Sequence, residues 1–383
     1  MSASHKPQIM ISAGEASGDM HAAHALTELR ATGLAFDCFG MGANKLQAVG
    51  MELVLDCREL AVIGIVDVLI NYPRFMRRLS TLRKALVQRK PDLLVIVDYP
   101  DFNLKLAETA KKHGVPVLFY ISPQVWAWRK KRIHRIGTLV SHMAVLFPFE
   151  VDVYQQAHIP VTYVGHPLVD DAKSQFNQSE AREHLQLQQT VPILALLPGS
   201  RTGELQRNLP VMLETAHTLK RKYPELQFVL PLASTLNQTV VEAMLSNAEV
   251  HINVVNGQSY HAMRAANAVL SSSGTATLET ALVGTPLAVM YVVNPINYAI
   301  MKRLIEIDDI GLVNIVAGKR ICQEFIQQNA QADTMAEELE KCLFDQSYRH
   351  TMMTEFTIVQ KKMGEGGASA KVAQLISKLI SLN

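Results

Sequence analysis

At residues 193–204 the chain runs Ile193-Leu-Ala-Leu-Leu-Pro-Gly-Ser-Arg-Thr-Gly-Glu204: an apolar run, a short Pro/Gly/Ser turn and then Arg201. Apolar residues without alternation predict a strand buried on both faces, as in a parallel sheet. In open α/β sheets ligands bind at the carboxyl ends of strands, where small turn residues expose backbone N–H groups and arginine supplies a permanent, forked cation. The pattern therefore predicts a phosphate or diphosphate site at Arg201. The alternative is an ordinary strand-to-helix turn with a solvated arginine.

The size and composition indicate a globular protein of two domains. The chain has 383 residues, 48% of them hydrophobic and 19% charged, and a chain of this length usually divides its core. With 37 Lys and Arg against 35 Asp and Glu, the net charge of +2 gives no reason to expect a nucleic-acid partner. The four cysteines are scattered without a Cys-x-x-Cys pair. We therefore expect neither a zinc site nor a disulfide framework, which suits a reducing cytoplasm.

A similar strand, glycine loop and helix is predicted at the start of the chain. The apolar residues 8–13 run into Gly14-Glu-Ala-Ser-Gly-Asp19, and Asp19 is the expected N-cap of the helix. The loop lacks Gly-x-Gly-x-x-Gly, which excludes the dinucleotide fingerprint. Glu15 is a poor neighbour for a phosphate because both are anionic. We predict a sugar or another hydroxyl group as the partner of this loop.

An acidic residue ends a third apolar run. Pro91-Asp-Leu-Leu-Val-Ile-Val-Asp98 predicts a buried strand with Asp98 at its carboxyl tip, where ligands of α/β sheets bind. Asp98 is therefore the candidate general base. Asp101 is the second candidate, although its place after Pro100 suits an N-cap. Alternatively, Asp98 holds its loop together by accepting backbone N–H bonds.

Two segments of the first half combine apolar residues with cations. Leu60–Ile70 is followed by cations at 74, 77, 78, 83 and 84, a pattern typical of a surface that rests on anionic lipid. A buried crossover before a solvated basic helix is the alternative. Residues 122–132 contain both tryptophans and four adjacent cations. Aromatics among cations also stack nucleic-acid bases, but the near-neutral chain favours a loop that grips an anionic amphiphile.

The second half contains another anion site. Ser271-Ser-Ser-Gly-Thr275 precedes a helix that carries Glu279, and a small polar turn at a helix N-terminus binds anions through backbone N–H groups and the helix dipole. Glu279 is a candidate acceptor for ribose hydroxyls; the alternative is a charge that complements the helix start. Such loops in both halves predict two Rossmann-like domains facing across a cleft that binds a nucleotide diphosphate and a second substrate. No Asp-x-Asp occurs, which argues against the metal-dependent glycosyltransferases.

Five motifs together resemble the lipid-A-disaccharide synthase family. They are Gly14-Glu-Ala-Ser-Gly-Asp19, Asp98-Tyr-Pro-Asp-Phe-Asn103, Ser122-Pro-Gln-Val-Trp-Ala-Trp-Arg129, Leu197-Pro-Gly-Ser-Arg201 and Ser273-Gly-Thr-Ala-Thr-Leu-Glu279. The resemblance runs over nearly the whole chain, and Trp126-Ala-Trp128 with its basic neighbours is its most specific part. It implies an α/β protein of GT-B type, with C-terminal helices that cross back or are swapped in a dimer.

The resemblance implies an inverting glycosyltransferase without a cofactor or metal. That family transfers 2,3-diacylglucosamine from UDP-2,3-diacylglucosamine to the 6-hydroxyl of 2,3-diacylglucosamine 1-phosphate (lipid X), giving the β(1→6) lipid A disaccharide 1-phosphate and UDP. The implied location is the cytoplasmic face of the bacterial inner membrane, as a peripheral enzyme and a possible homodimer. The polar N-terminus predicts no signal peptide, and no window approaches the roughly 18 apolar residues of a spanning helix.

The resemblance also implies roles for individual residues. Asp98 is the catalytic base and Glu15 lies near the reacting sugar. The implied contacts to the UDP-sugar are Ser17, Arg201, Ser273, Gly274, Thr275 and Asn314. Glu279 remains the candidate for the ribose from its position in the sequence, and the expected membrane or acceptor residues are Val66, Val68, Leu69, Trp126, Trp128 and Arg129. One departure is Val313, where the family commonly has proline. It raises the question of a shifted Asn314 loop and an altered nucleotide affinity.

The expected domains are 1–169 for the acceptor and catalysis, 170–345 for the UDP-sugar, and a helical tail at 346–383. The polar stretch Asp170–Gln189 is the expected interdomain linker. Two other functions stay open. One is a UDP-sugar epimerase or related nucleotide-sugar enzyme of the same fold, which would need no lipid. The other is a lipid- or nucleotide-binding module without activity.

Overall fold

The computed structural model describes residues 6–59, 72–123, 125, 132–173, 176–233, 235–246, 248–294, 298 and 309–381. The chain divides into two compact units: Met1–Pro167 with Gly366–Asn383, and Leu168–Glu365. Within the described ranges, no helix is long and apolar enough to cross a membrane. The membrane or acceptor residues expected from the sequence lie outside the described residues: Val66, Val68, Leu69, Trp126, Trp128 and Arg129.

The first unit is built on a seven-stranded parallel sheet. Its strands are β1 Gln8–Ala13, β2 Asp37–Gly42, β3 Glu52–Asp56, β4 Leu93–Val97, β5 Val117–Tyr120, β6 His142–Val145 and β7 Val161–Tyr163. They lie in the order β3-β2-β1-β4-β5-β6-β7. Every residue of β4 is buried, as its continuous apolar run predicts. The chain order reverses between β1 and β4, which makes their carboxyl ends the switch point where ligands of such sheets bind.

Helices flank this sheet. They are α1 Ala16–Ala31, α2 Asn44–Ala48, α3 Tyr72–Arg89, α4 Pro100–Lys112, α5 Arg132–Leu139 and α6 Pro148–Gln156. The buried face of α1 includes Ala23, Leu26 and Leu29, which recur at the helical period. Gly40 in β2 is required by sterics, because its φ is +146° and an added Cβ would lie 1.9 Å from the carbonyl oxygen of Ile11 in β1.

The second unit repeats the plan with six parallel strands in the order β10-β9-β8-β11-β12-β13. The strands are β8 Ile193–Leu197, β9 Gln227–Leu232, β10 Asn253–Asn256, β11 Ala268–Ser272, β12 Leu287–Tyr291 and β13 Glu324–Ile326. Its helices are α7 Pro167–Ala172, α8 Gln178–His184, α9 Thr202–Lys222, α10 Gln238–Leu245, α11 Ser259–Ala265, α12 Thr275–Val283, α13 Leu312–Ala317, α14 Ala332–Phe344 and α15 Gln346–Met363. The switch point of this sheet lies between β8 and β11.

The second unit contains a helix with an interior proline and a linker that differs from the sequence expectation. Helix α9 has Pro210 inside it; an interior proline removes one backbone hydrogen bond but keeps a helical φ. The expected linker Asp170–Gln189 contains α8 and the end of α7. Arg182 in α8 is buried and donates to the carbonyls of Ala265 and Gln189, so this stretch is packed as part of the second unit.

The expected C-terminal tail is not one segment. Helix α15 belongs to the second unit, whereas the last helix, α16 Ala368–Ser381, belongs to the first, where it packs along α1. Gly364, Gly366 and Gly367 between the two helices all have positive φ, a conformation that glycine adopts without steric cost. The chain therefore crosses back to its first unit at this turn.

Candidate active site

The switch point of the first sheet brings Glu15 and Asp98 together. Strands β1 and β4 are paired with Ala13 opposite Val97, so the residues that follow each strand lie side by side. Gly14 permits this approach, because an added Cβ would lie 2.4 Å from Cδ1 of the Tyr99 ring. Glu15 is exposed at the N-cap of α1. It is close enough to Asp98 for its charge to raise the pKa of that carboxyl group.

Asp98 occupies an unusual backbone position. It follows β4 with a φ of +47°, and Tyr99 also has a φ of +47°, in the left-handed region that residues other than glycine rarely adopt. The Asp98 N–H donates to the Tyr120 carbonyl at 3.1 Å, which ties the turn to β5. Burial raises the pKa of Asp98 to about 6, the Glu15 charge adds to the rise, and the Tyr99 N–H opposes it. Asp98 is therefore mostly ionised at neutral pH but far more basic than an ordinary aspartate.

The second candidate base, Asp101, lies on the surface. Its side chain is 75% exposed and pairs with Arg132 at 2.6 Å. Helix α4 begins at Pro100 with Tyr99 as its N-cap, so the predicted N-cap role of Asp101 is wrong. The left-handed Tyr99 already turns the chain into the helix, which leaves Asp101 in the first helical turn.

Asp19 is a structural carboxylate. The predicted N-cap role is wrong, because α1 begins at Ala16 and Asp19 lies one turn inside it. Asp19 is 2% exposed and accepts the N–H groups of Ala43, Lys45 and Leu46 at 2.7, 3.0 and 3.2 Å. It thereby caps the neighbouring helix α2. Ser17, in the first turn of α1, is exposed and available to a ligand.

The second sheet brings its two anion loops together in the same way. Strands β8 and β11 are paired with Leu197 opposite Ser271, so the turns at 198–201 and 273–275 are neighbours. Arg201 is the N-cap of α9, and its side chain is 82% exposed. The buried side chain of Asn208 fastens the first turn, because it donates to the Pro198 carbonyl at 3.0 Å and accepts the Val292 N–H at 3.1 Å.

An internal carboxylate already occupies the Arg201 turn. Glu204 accepts the Ser200 N–H at 3.3 Å and pairs with Arg201 at 3.2 Å. A Cβ on Gly199, whose φ is +111°, would lie 2.5 Å from Oε2 of Glu204, so the carboxylate lies against the turn. Glu204 thus engages one backbone N–H of the turn and one guanidinium nitrogen of Arg201, which are the kinds of donor that bind phosphate.

The turn at 273–275 is held by a side-chain hydrogen bond, and its glycine is the N-cap residue of α12. The Ser273 hydroxyl donates to the Ile310 carbonyl at 2.8 Å, and Gly274 has a φ of +149° at the N-cap of α12. Thr275 is exposed. Burial raises the pKa of the half-buried Glu279 carboxyl group, the hydrogen bond from Thr275 opposes the rise, and the Asp171 charge adds to it. Glu279 lies in the second turn of α12, which disfavours a helix-start role for its charge.

Asn314 does not have the geometry expected of a ligand contact. Its side chain is fully buried and donates to the Cys322 carbonyl at 2.9 Å and to Glu324 at 2.8 Å. Its oxygen accepts the N–H groups of Ile321 and Cys322 at 2.8 and 3.0 Å. These bonds use both donors and both acceptor positions of the amide. In this conformation Asn314 joins α13 to β13 and has no polar atom left for a nucleotide.

Val313 uses the N–H group that a proline would lack. Its backbone N–H lies 3.4 Å from the Thr277 hydroxyl, which donates to the Gly274 carbonyl at 2.9 Å. The departure from the family pattern thus adds a link between α13 and the 273–275 turn. Within the described ranges, no three His, Cys, Asp or Glu side chains are grouped to hold a metal ion.

The family model for Lipid-A-disaccharide synthetase matches residues 9–377 of the chain. The chain belongs to this family. The lipid-A-disaccharide synthase of Geobacter sulfurreducens is 43% identical over 373 residues, which cover 97% of each chain. The enzyme of the same name from Nitrosococcus oceani is 43% identical over 371 residues, 96% of this chain and 95% of the relative. The resemblance inferred from the five motifs is confirmed, and the family is one of glycosyltransferase enzymes.

Solved structures share the fold at low sequence identity. A UDP-GlcNAc 2-epimerase from Neisseria meningitidis, bound to UDP-GlcNAc, has a TM-score of 0.63 and 15% identity and covers 99% of this chain and 100% of its own. The glycotransferase of kitacinnamycin has a TM-score of 0.65 and 14% identity and covers 98% of this chain and 100% of its own. The GT-B fold predicted from the sequence is confirmed. Because epimerases and transferases both have this fold, family membership rather than fold distinguishes the two activities.

Proposed function

We propose that this enzyme transfers 2,3-diacylglucosamine from UDP-2,3-diacylglucosamine to the 6-hydroxyl of lipid X, with inversion. The products are the β(1→6) lipid A disaccharide 1-phosphate and UDP. The observation that carries the mechanism is the carboxylate of Asp98, half-buried at the switch point beside Glu15 with its pKa raised to about 6. In a chain of this family, such a group fits a general base for a sugar hydroxyl.

The acceptor hydroxyl gives its proton to Asp98 in the proposed reaction. As that proton moves to the carboxylate, the 6-oxygen forms a bond to the anomeric carbon on the face opposite UDP, and the bond between that carbon and the diphosphate oxygen breaks. A pKa near 6 leaves Asp98 ionised at pH 7 and basic enough to share the proton in the transition state. Glu15 and Ser17, both exposed at the start of α1, are positioned to accept or donate hydrogen bonds to the sugars.

The departing diphosphate is stabilised by fixed positive charge and dipoles. Arg201 supplies a forked cation, and the turn Ser273-Gly274-Thr275 supplies backbone N–H groups at the start of α12. Both compensate the negative charge that develops on UDP as its bond to the sugar breaks. Glu204 gives up Arg201 when the diphosphate binds. Glu279 accepts a ribose hydroxyl, which suits its half-buried carboxylate.

The proposal is tested by the reaction itself. Purified protein is mixed with UDP-2,3-diacylglucosamine and lipid X in detergent, and UDP and the disaccharide are measured by mass spectrometry. We expect equal amounts of both products. UDP-sugar epimerisation without disaccharide would favour the epimerase, and substrate binding without turnover at any acyl-chain length would favour the binding module.

Contact with the cytoplasmic face of the inner membrane is part of the proposal. Helix α3 buries Leu79, Leu82 and Leu86 and exposes the cations Arg74, Arg77 and Lys84, which suits an anionic lipid surface. The family resemblance adds a possible homodimer, for which sedimentation equilibrium is the measurement. Lipid X, the UDP-sugar and the membrane surface are the proposed partners, and nucleic acid is not.

We expect the chain to sediment with vesicles that contain anionic lipid and not with purely zwitterionic ones. Replacing Arg74 and Arg77 with glutamate reverses two exposed charges and should weaken the binding to anionic vesicles at least tenfold, at about 1 kcal/mol per cation. The matched control replaces the exposed Lys111 and Lys112 of α4 with glutamate. Equal loss in both variants would show a nonspecific charge effect and contradict contact through α3.

A further inference from the structure

We infer that Asn103 is a positioning residue for the transfer reaction, whose buried amide holds the Asp98–Tyr99 turn in the left-handed conformation and so fixes the direction of the Asp98 carboxylate. The inference rests on the proposed role of Asp98 as base. Asn103 lies in the first turn of α4 and is fully buried. It touches no substrate in this account and acts through Asp98.

The amide of Asn103 joins the ends of β1 and β4. Its two N–H groups are shared among three carbonyl oxygens: that of Asp98 at 2.7 Å, and those of Val97 and Ser12 at 3.2 Å. Its oxygen accepts the Ser12 hydroxyl at 2.6 Å. The shortest of the donated bonds goes to Asp98. The side chain therefore connects the two strands of the switch point and is anchored directly to the peptide group of the base.

The turn needs such an anchor because two consecutive residues are left-handed. Asp98 and Tyr99 both have a φ of +47°, which is disfavoured for residues other than glycine, and Tyr more so than Asp. The Asp98 N–H is held by the Tyr120 carbonyl at 3.1 Å, and its C=O by Asn103. Both polar groups of the Asp98 backbone are thus fixed. The ring of Tyr99 closes the turn against Gly14.

The anchored turn keeps the carboxylate in a partly dry position beside Glu15. Burial there raises the pKa of Asp98 to about 6. If the turn relaxed toward an ordinary conformation, the carboxylate would turn toward solvent. Its pKa would then fall toward the ordinary value of 3.8, and its distance from the acceptor hydroxyl would change. Positioning by Asn103 therefore predicts a change in both the rate and the pH dependence.

The test compares Asn103→Ala with Ser12→Ala. The first removes the anchor of Asp98, whereas the second removes only the hydroxyl that Asn103 accepts. For Asn103→Ala we expect kcat to fall about 100-fold, with the KM of both substrates within about threefold. The acid limb of kcat/KM, near pH 6 in the wild type, should move about one unit lower. Ser12→Ala should have a kcat within about threefold of the wild type, and the midpoint of its acid limb should stay near pH 6.

Several outcomes would overturn the inference. One is that Asn103→Ala keeps the wild-type kcat and the wild-type midpoint of the acid limb. Another is that Ser12→Ala loses as much kcat as Asn103→Ala, which would indicate a general packing effect. If Asn103→Ala does not fold, Asn103→Leu keeps the approximate volume of the side chain but lacks the amide donors and adds no charge. It should show the same loss of kcat at pH 8, and wild-type kcat would contradict positioning. An inactive wild type would instead refute the proposed function, and a fully active Asp98→Asn would refute the base.

Discussion

Asp98→Asn is expected to lower disaccharide formation roughly 1,000-fold, because an amide cannot take the proton of the acceptor hydroxyl and general bases typically contribute 10²- to 10⁴-fold. The substitution keeps the shape of the side chain, and asparagine tolerates the left-handed φ of +47° at least as well as aspartate. The measurement is kcat for UDP release and disaccharide, at saturating concentrations of both substrates. UDP binding should be unchanged.

The stability of Asp98→Asn provides a control for folding. The folded-state pKa of Asp98 is raised from 3.8 to about 6, so the folded protein holds this proton more tightly than the unfolded chain. The resulting contribution to stability is present below pH 3.8 and is lost as pH rises through 6. At pH 8 the wild type bears the cost of a half-buried charge, about 3 kcal/mol for a pKa rise from 3.8 to about 6. We therefore expect the variant to unfold at a higher temperature than the wild type at pH 8.

The matched control is Asp101→Asn, which makes the same chemical change three residues further along the chain. Its side chain is 75% exposed and paired only with Arg132 among the ion pairs of the described residues, and such exposed pairs contribute little. We expect activity within about twofold of the wild type. Full activity in a folded Asp98→Asn would remove Asp98 as base. Loss of activity in Asp101→Asn alone would transfer that role to Asp101.

Asn314→Ala is expected to destabilise the second unit by about 3 kcal/mol or more. The substitution leaves the N–H groups of Ile321 and Cys322 without their acceptor and the Cys322 carbonyl without the donor it has in Asn314, and each buried group left unsatisfied costs roughly 1–3 kcal/mol. Calorimetry should show a lower melting temperature for the transition of this unit. At 25 °C, UDP affinity of the folded protein should change less than stability does.

Asn256→Ala is the matched control for this prediction. Asn256 is exposed at the end of β10, so the same truncation removes no buried hydrogen bond, and we expect a change within about 0.5 kcal/mol. A normal melting temperature in Asn314→Ala, together with a large loss of UDP affinity, would contradict the structural role. It would support the direct nucleotide contact that the family resemblance implies.

The sequence identified those strands that are buried on both faces. The continuous apolar runs of β4 and β8 predict central strands, and every residue of both is buried. By contrast, the edge strands β3 and β10 were not predicted as strands. They contain polar residues such as Glu52 and Asn253. At or near a sheet edge, strands are only partly covered, so no apolar run marks them.

Part of the candidate site could be predicted from the sequence because its residues directly follow the buried strands. Residues at the tips of buried strands must meet at the carboxyl edge of a parallel sheet, which predicts Glu15, Asp98 and Arg201 without knowledge of any contact. The residues that hold them were missed because their partners are distant in sequence. Asn103 bonds to Ser12, 91 positions away, and Asn208 bonds to Val292, 84 positions away. The burial of a polar residue such as Asn314 likewise depends on the tertiary structure.

The pH dependence of kcat/KM in the wild type is the sharpest test of Asp98 as the general base, because it reports the ionisation of the base in the free enzyme. We predict an acid limb that falls tenfold per pH unit below a midpoint near 6, the pKa of Asp98, and a plateau at neutral pH. The 1-phosphate of lipid X, a monoester, also titrates in this range, whereas the diphosphate of the UDP-sugar, esterified at both ends, does not, so the same profile is recorded for lipid X binding and divided out. A corrected rate that stays flat down to pH 4.5 would contradict a buried Asp98 base.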